Sequence, residues 1–454
     1  MTTRSCPGSL ALPTPVQTGD TMKLYLRMSA SLALLFIFFS CTALPGQMNG
    51  EAARDWSVVF RDTLQHHILQ FWIDHALDAD YGGLLGRLNR QGQPIPPGDK
   101  SVVLISRALW SFSEAYRRYP DPAYQKMATA CLKFLRDHMW DKQRGGYYFM
   151  VSREGKVIDS TKQLNPMSYV MEGLAEYALA FHDPQAAGEA LNLFEVIDEH
   201  AHDNKYGGYH IAFTAEWEWI KDYKEGPNAT GSFGRKSYDW HLGLVEAFAT
   251  LYDVTGDTRV RARLDELLDI FVNKIIDSHI GYGRYYFNED WSVADRNGDS
   301  KQCEYGLDLE ASWLIVEAAQ RVGRPQDSKI RRASLALVDH ALRYGFDKDK
   351  GGVYRYGPAT GPAENRDMEW WQQVEGLVAF LNAYQLTGDP KYWQAFDVQA
   401  RFVVDRFVDH QYGEVYTAIL HDGKIDDEKV GPWKAPYHVT RACLEIISRL
   451  GGTL

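Results

Sequence analysis

A glycine-rich turn recurs six times along this chain of 454 residues, and this repeat constrains the fold more than any other feature. Four copies begin with Asp and end with Gly-Gly, whereas two degenerate copies keep a Gly-x-Gly or a single glycine. The first glycines of these glycine turns are 62 to 74 residues apart, at positions 82, 145, 207, 281, 351 and 413. A period of this length indicates one repeat architecture and excludes separate folding domains.

Between the turns, apolar residues recur at three- and four-residue spacing, which predicts helices. The helices that lead each repeat are predicted over residues 104–118, 171–181, 244–253, 311–321, 374–386 and 441–450. A second helix follows each of the first five, after short loops rich in Gly and Pro. Six helical hairpins in series are expected to close into an all-α (α/α)6 toroid, since closure covers both terminal faces. We expect this toroid, with short strand-like turns, to form a single domain over residues 45–454 after a leader of residues 1–44.

The amino end has the pattern of a targeting segment. Lys23 and Arg27 precede an apolar run over residues 30–39, which is typical of a secretory signal and too short to span a bilayer. The Ser-Cys pair that ends at Cys41 resembles a lipoprotein cleavage box, and a simple signal peptide cleaved near Ala43 is the alternative. We therefore expect an exported bacterial protein, periplasmic or tethered to the outer membrane, with no membrane span.

Composition excludes several classes of function. The net charge is -11, from 49 basic and 60 acidic residues, and no long basic run occurs, which argues against a nucleic-acid partner. Five cysteines without a Cys-x-x-Cys pair predict neither a zinc site nor a disulfide framework, so we expect no metal and no other cofactor. Aromatic residues make up 13% of the chain, which suits either a large core or stacking against a sugar.

The toroid predicts where function lies, because the inner helices present their amino ends to one cleft, where helix dipoles and unpaired N–H groups converge. A single polar residue there is usually an interhelix contact. Recurrence at repeat-equivalent positions instead favours carboxylates, Arg and His that bind a polyhydroxylated ligand and transfer protons. The candidates are Arg107, Glu172, His241, Glu246, Glu310, Glu375 and His438.

Four blocks of sequence resemble the signature motifs of the N-acylglucosamine 2-epimerase superfamily, most closely its cellobiose 2-epimerase branch. They lie at residues 106–113, 305–314, 369–375 and 433–445, within a similarity that covers about residues 52–450. The resemblance implies an (α/α)6 barrel and a reducing sugar or disaccharide as substrate. It also implies that neither metal nor nicotinamide is needed, and that a proton moves at C2 through an enediolate intermediate.

The same resemblance implies roles for single residues. Two histidines share proton transfer in this family and an arginine stabilises the oxyanion; by motif position, His438 is one of the histidines and Arg107 is the arginine. Glu310 matches the carboxylate one helical turn beyond the other histidine. Trp371, Glu375 and Trp313 match sugar-contacting positions, and polar residues near the inner-helix starts complete the predicted binding set: Asn165, Asp239 and Glu246.

The chain also departs from the family pattern. Leu307 stands where the second histidine is usual, and Leu cannot transfer a proton. Gly243 replaces a histidine of another block, with His241 two residues earlier, and Asn165 replaces a tyrosine. We therefore expect a rearranged site in which His438 works with His241 or with a carboxylate such as Glu310.

Three functions fit these residues, and the sequence favours the first. The first is a sugar epimerase or aldose–ketose isomerase. The second is a glycoside hydrolase of the six-hairpin type, with two carboxylates about 5–10 Å apart chosen among Asp239, Glu310 and Glu375. The third is a non-catalytic sugar-binding protein, which the departures at Leu307 and Gly243 favour.

Overall fold

The structure is a computed structural model that describes residues 55–221, 235–294 and 302–451. The predicted leader and its cleavage site lie outside the described residues. All of the described residues fall in one unit of tertiary contacts. Within these ranges, no helix is both long and apolar enough to cross a membrane.

The described helices form two concentric rings, which confirms the predicted (α/α)6 toroid. Each inner helix packs against the next one, and α13 also packs against α3, which closes the ring. The inner helices are α3 (Val102–Arg118), α5 (Leu164–Phe181), α7 (Tyr238–Thr255), α9 (Tyr305–Arg321), α11 (Trp370–Thr387) and α13 (Tyr437–Arg449). The outer helices are α1 (Trp56–Asp62), α2 (Gln70–His75), α4 (Pro122–Phe134), α6 (Pro184–Ala201), α8 (Thr258–Ile270), α10 (Ser328–Tyr344) and α12 (Pro390–Phe402).

Local sequence explains where the outer helices begin. Asp121, Asp183 and Asp389 are N-caps whose carboxylates accept backbone N–H groups of the first turn, and a proline follows each of them. The inner helices begin two to seven residues earlier than predicted. Their first turns are buried on nearly all sides, so the amphipathic pattern that marks a surface helix is absent there.

Short antiparallel strands join the helices. Two sheets have three strands, in the orders β1-β2-β3 and β12-β13-β14, and the pairs β4-β5, β6-β9, β7-β8 and β10-β11 complete the set among the described residues. The strands are β1 (Lys100–Ser101), β2 (Met150–Val151), β3 (Val157–Asp159), β4 (Lys162–Gln163), β5 (Ala212–Phe213), β6 (Lys236–Ser237), β7 (Ile276–Asp277), β8 (Tyr282–Gly283), β9 (Tyr286–Phe287), β10 (Gln302–Glu304), β11 (Tyr356–Pro358), β12 (Met368–Glu369), β13 (Ala418–Ile419) and β14 (Ile425–Asp426). Five of these strands lead directly into inner helices.

Buried aspartate–lysine pairs hold the glycine turns. Asp203 Oδ1 accepts the backbone N–H groups of Lys205 and Tyr206, at 2.9 and 3.1 Å, while its Oδ2 lies 2.7 Å from Lys236 Nζ. Gly207 and the glycine after it have positive φ values of 75° and 72°, which explains the need for glycine. We call this pair and its equivalents the turn pairs: Lys100–Asp78 at 2.9 Å, Lys162–Asp141 at 3.0 Å, and Lys429–Asp409 at 3.2 Å.

Tryptophans of the first outer helices fasten the two ends of the described chain together. Helix α1 packs against α13, and Trp56 Nε1 lies 2.9 Å from Asp397 Oδ1. Trp72 Nε1 donates to the buried Glu414 Oε2 at 2.7 Å. These contacts complete the outer ring, so the last inner helix is enclosed like the other five.

Candidate active site

The amino ends of the inner helices converge on Arg441, a buried residue of α13. Its Nη2 lies 2.5 Å from Glu310 Oε1 and 2.6 Å from Glu375 Oε1. Its Nη1 forms an ion pair with Glu246, so one guanidinium holds carboxylates from three other inner helices. We call these four residues and His438 the central cluster. Three acids around one arginine leave an excess of buried negative charge.

His438 is the second residue of α13, directly beside these carboxylates. Its Nδ1 lies 2.8 Å from Glu375 Oε1 and 3.6 Å from Glu310 Oε1. Glu375 also accepts from Arg441 and from Trp313 Nε1, at 3.1 Å, so it acts as an acceptor toward each of its neighbours. Arg441 Nη2 also lies 3.4 Å from Nδ1, but the contact with Glu375 is much shorter and favours donation from Nδ1. The imidazole then keeps a lone pair on Nε2, for which the described residues offer no hydrogen-bond partner.

The electrostatics of the cluster suit a neutral base next to acids. Burial, followed by the positive charge of Arg107, holds the pKa of His438 well below its usual value. Burial raises the pKa of Glu375, against the opposing effect of Arg441. Burial and the neighbouring Glu375 likewise raise the pKa of Glu310. A neutral imidazole can accept a proton, and a carboxyl with a raised pKa holds its proton to a higher pH than a free carboxyl does.

Two residues that the sequence analysis did not single out, Tyr437 and Arg441, support this arrangement. Tyr437 donates its hydroxyl to Glu172 Oε2 at 2.7 Å and accepts from Arg441 Nη1 at 3.0 Å. Burial, with the negative charge of Glu246, raises the pKa of Glu172 well above its usual range. The sequence does contain a feature that points to Arg441. It stands three residues after His438, so the two side chains lie on the same face of α13.

Arg107 lies at the same end of the ring, and no carboxylate of the described residues neutralises its positive charge. Its Nη1 donates to the Trp433 carbonyl at 2.7 Å, and its guanidinium carbon lies 4.1 Å from the centre of the Tyr169 ring. No carboxylate forms an ion pair with Arg107 in the described part of the chain. This position suits stabilisation of a negatively charged oxygen on a ligand.

The two predicted sugar-contacting tryptophans differ. Trp371 is half-buried, its ring lies 5.9 Å from that of His438, and its Nε1 donates to Glu369 at 3.0 Å. Trp313 is only 2% exposed, bonds to Glu375 and lies under the Arg441 guanidinium. The predicted sugar contact for Trp313 is corrected accordingly, because this ring has no free face and instead positions Glu375.

His241 does not join the central cluster. Its Nδ1 is 2.7 Å from the Ser237 carbonyl and its Nε2 accepts the Tyr209 N–H at 3.0 Å, so backbone groups occupy both ring nitrogens. In other repeats Asp308 and Gln373 accept the corresponding turn N–H groups. The predicted catalytic role of His241 is therefore corrected to one of anchoring a glycine turn.

The structure also shows the surroundings of the three residues that depart from the family pattern. A Cβ on Gly243 would lie 2.5 Å from Asn165 Oδ1 and 2.7 Å from Ser168 Oγ, so a larger residue there would have to displace these two side chains of α5. Asn165 is thus placed between these helices, and its Oδ1 has no partner among the described residues. Leu307 is buried one turn before Glu310 on α9, where it adds no proton carrier to the cluster.

Asp239 belongs to a second group of acids at the starts of the inner helices. Burial raises the pKa of Asp239 to about 6. Burial, followed by the charge of Glu369, raises the pKa of the neighbouring Glu304 to about 8. No motif indicated Glu304. Within the described residues, no hydrogen bond links Asp239 to the central cluster, so the predicted sugar contact of Asp239 stays a prediction.

Three residues of the central cluster carry atoms that could bind a metal ion. Donor atoms of Glu310, Glu375 and His438 lie within 4.8 Å of one another, a separation that suits a cation. The same carboxylate oxygens already contact Arg441 at 2.5 and 2.6 Å. The guanidinium therefore takes the cationic place among these donors.

The structure is an (α/α)6 toroid with a buried imidazole, several carboxyls and an arginine without a carboxylate partner among the described residues at one end of its inner ring. These groups suit a class of acid–base enzyme. Within that class, the chain belongs to the N-acylglucosamine 2-epimerase family, which it matches over residues 83–442. It is 32% identical to a cellobiose 2-epimerase from Bacteroides fragilis over 386 residues, which cover 85% of this chain and 96% of that protein.

Two further comparisons agree with this placement. The solved structure of cellobiose 2-epimerase from Bacillus thermoamylovorans B4167 superposes with a TM-score of 0.80 at 29% identity, over 87% of this chain and 99% of that one. A D-mannose isomerase from Marinomonas mediterranea is 23% identical, over 85% of this chain and 97% of that protein.

Proposed function

We propose that this protein is a sugar isomerase that moves a proton at C2 of a reducing sugar through an enediolate. The observation that carries the proposal is the free Nε2 of neutral His438, whose other ring nitrogen is held by Glu375. Relatives named as sugar epimerases and isomerases support the same chemistry. The names of these relatives make cellobiose and D-mannose the first substrates to test.

The reaction follows from the groups at the site. In the open-chain aldose, His438 Nε2 takes the proton from C2, the C2–H electrons form the C1–C2 double bond, and the carbonyl electrons move to O1. Arg107 stabilises the negative charge on the enediolate oxygen. Glu375 stabilises the imidazolium that forms, as a carboxylate does for a catalytic histidine. The carboxyl of Glu310, whose pKa is raised, supplies or accepts the hydroxyl proton.

The product depends on where the proton returns. Return to C1 on the same face gives the ketose and needs one base, whereas return to C2 on the opposite face gives the epimer and needs a second proton carrier. Leu307 supplies none, and backbone groups occupy both nitrogens of His241. We therefore propose that ketose formation predominates over C2 epimerisation.

Proton NMR of a reducing sugar incubated in D₂O tests the proposal. Solvent deuterium at C1 or C2 together with a ketose is the expected result. A new reducing end without exchange would mean that the protein is a glycoside hydrolase, and binding without either reaction would mean a sugar-binding protein. Leu307→His should raise the share of the 2-epimer among the products. An epimer share that is already dominant in the wild type would overturn the proposed product.

We also propose that the protein is exported, with a mature chain that begins between Cys41 and Gln47. The support is the pattern of Lys23 and Arg27 before the apolar run over residues 30–39. Mass spectrometry of the protein from its native host tests this, because an intact Lys23 on the mature chain would contradict it. The same spectrum separates a lipid-modified Cys41 from a simple cleavage near Ala43.

A further inference from the structure

The fourth and fifth repeats of the toroid lack the buried lysine that pairs with the turn aspartate in the first three, and Met368 stands at its place in the fifth. In the first three repeats this lysine stands two residues before the inner helix and pairs with the turn aspartate: Lys100 before α3, Lys162 before α5 and Lys236 before α7. In the fourth repeat, Cys303 occupies the equivalent position before α9. The turn aspartate of that repeat, Asp277, pairs instead with Arg284 at 2.5 Å.

Two further potential metal ligands surround Cys303. Its Sγ lies 3.0 Å from Asp308 Oδ2 and 3.7 Å from His340 Nδ1. The three side chains are 0%, 1% and 4% exposed, and their donor atoms all lie within 4.8 Å of one another. They come from β10, α9 and α10, so the cluster joins an inner helix to an outer one.

Each of these donors has its free lone pair directed into the cluster. His340 Nε2 lies 2.7 Å from the Ala359 carbonyl, to which it donates, so Nδ1 is the unprotonated nitrogen. Asp308 Oδ1 accepts the Gly283 N–H at 2.9 Å, which leaves Oδ2 available. A carbonyl that fixes the outer nitrogen of a histidine is the usual support of a metal-binding imidazole.

The cluster has no cation of its own. Among the described residues, neither lysine nor arginine forms an ion pair with Asp308. A divalent ion that displaces the thiol proton to solvent would be balanced by one thiolate and one carboxylate. Thiolate, imidazole and carboxylate together are ligands that select zinc over magnesium or calcium.

We propose that Cys303, Asp308 and His340 bind a structural Zn²⁺ ion at the level of the fold where the first three repeats have a buried lysine. The ion joins β10 and the inner helix α9 to the outer helix α10. The ring of Tyr305 lies 6.0 Å from that of His340, and its buried hydroxyl lacks a partner among the described residues. No sequence spacing indicated the site, since its three ligands are 5 and 32 residues apart along the chain.

The test uses the untagged full chain, purified without chelators, and counts metal by elemental mass spectrometry. About one zinc per chain is expected in the wild type, and Cys303→Ser or His340→Gln should lose it. Cys131→Ser and Cys443→Ser are matched controls, because both change buried free cysteines outside the cluster and should keep the zinc. The sugar-isomerase activity plays no part in this readout.

A second measurement on the wild type covers the case in which the variants do not fold. Unfolding in the presence of a chelator and refolding with Co²⁺ should give a thiolate-to-cobalt absorption band, and refolding with Zn²⁺ should raise the melting temperature over metal-free refolding. A wild type that neither contains zinc nor takes up Zn²⁺ or Co²⁺ on refolding would overturn the proposal and leave a hydrogen-bonded cluster. Zinc retained at full stoichiometry by Cys303→Ser would also overturn it.

Discussion

The turn pairs and the central cluster are both buried and charged, yet they are built in opposite ways. In the turn pairs each aspartate faces a buried lysine, and Asp78 and Asp409 also pair with Arg153 and Arg90. Despite the cost of burial, these arginines and the lysines lower the pKa values of Asp78 and Asp409 to about 2. In the central cluster three glutamates share Arg441, and the pKa values of Glu310 and Glu375 rise. Balanced burial keeps charges fixed, whereas an excess of acid leaves protons available for exchange.

The contrast has a consequence for pH. The folded-state pKa of Asp78 is lower than its unfolded value, so its stabilisation is present above the unfolded pKa and is lost as the pH falls toward about 2. The folded-state pKa of Glu310 is higher than its unfolded value, so its stabilisation is present at low pH and is lost as the pH rises through the folded pKa. The two regions therefore respond to pH with opposite signs.

The largest expected effect is on stability and comes from a turn pair. Lys162→Met leaves Asp141 buried without a counterion and should lower the free energy of unfolding by about 3–5 kcal/mol. Chemical denaturation measures this, and the activity of the folded fraction should stay near that of the wild type. Lys133→Met is the matched control, because its ion pair with Asp137 is exposed and should contribute at most about 1 kcal/mol. If the two variants lost the same free energy of unfolding, the buried ion pair would contribute no more to stability than the exposed one.

The next effect is on turnover and comes from the central cluster. Glu375→Gln keeps an oxygen that can accept from His438 Nδ1 but removes the charge that stabilises the imidazolium. We expect kcat to fall about 100-fold with little change in Tm. Glu445→Gln is the control, since this acid pairs with Arg449 on the same helix as His438 but at its far end. Wild-type kcat in Glu375→Gln would show that the cluster is structural.

A smaller effect should separate the two regions by pH. Glu310→Gln removes one of three acids that share Arg441, so it should stabilise the protein by about 1 kcal/mol at pH 8 and by less at pH 5. Denaturation curves at the two pH values measure the difference, and kcat should fall in the same variant. A variant that is equally destabilised at both pH values would contradict the excess of acid.

The smallest expected effect is on metal dependence. Arg441 lies within 2.6 Å of the carboxylates that a catalytic ion would need, so EDTA should leave kcat unchanged. A zinc ion enclosed by Cys303 and its neighbours would not exchange under such mild treatment. Loss of activity with EDTA, restored by one divalent ion, would mean that a metal displaces the guanidinium.

Sequence periodicity was sufficient for the architecture but only partly for the site. The repeat predicted both rings and placed Arg107, Glu246, Glu310, Glu375 and His438 at one end of them. The predicted catalytic role of His241 could not be judged from the repeat. The imidazole accepts a backbone N–H from a glycine turn that is distant in sequence, and only the fold brings the two together. For a similar reason, the pairing of Arg441 with carboxylates of three other helices depends on ring closure, which spacing along one helix does not show.

The proposed reaction depends on neutral His438, which carries the proton. His438→Asn keeps the side-chain size and a hydrogen bond to Glu375 but cannot exchange a proton at Nε2, and the measurement is deuterium incorporation from D₂O at C1 and C2. We expect incorporation and kcat to fall together by at least about 100-fold while Tm changes little. His421→Asn, at an exposed histidine paired with Asp367, should match the wild type. Wild-type deuterium incorporation in His438→Asn would contradict the account.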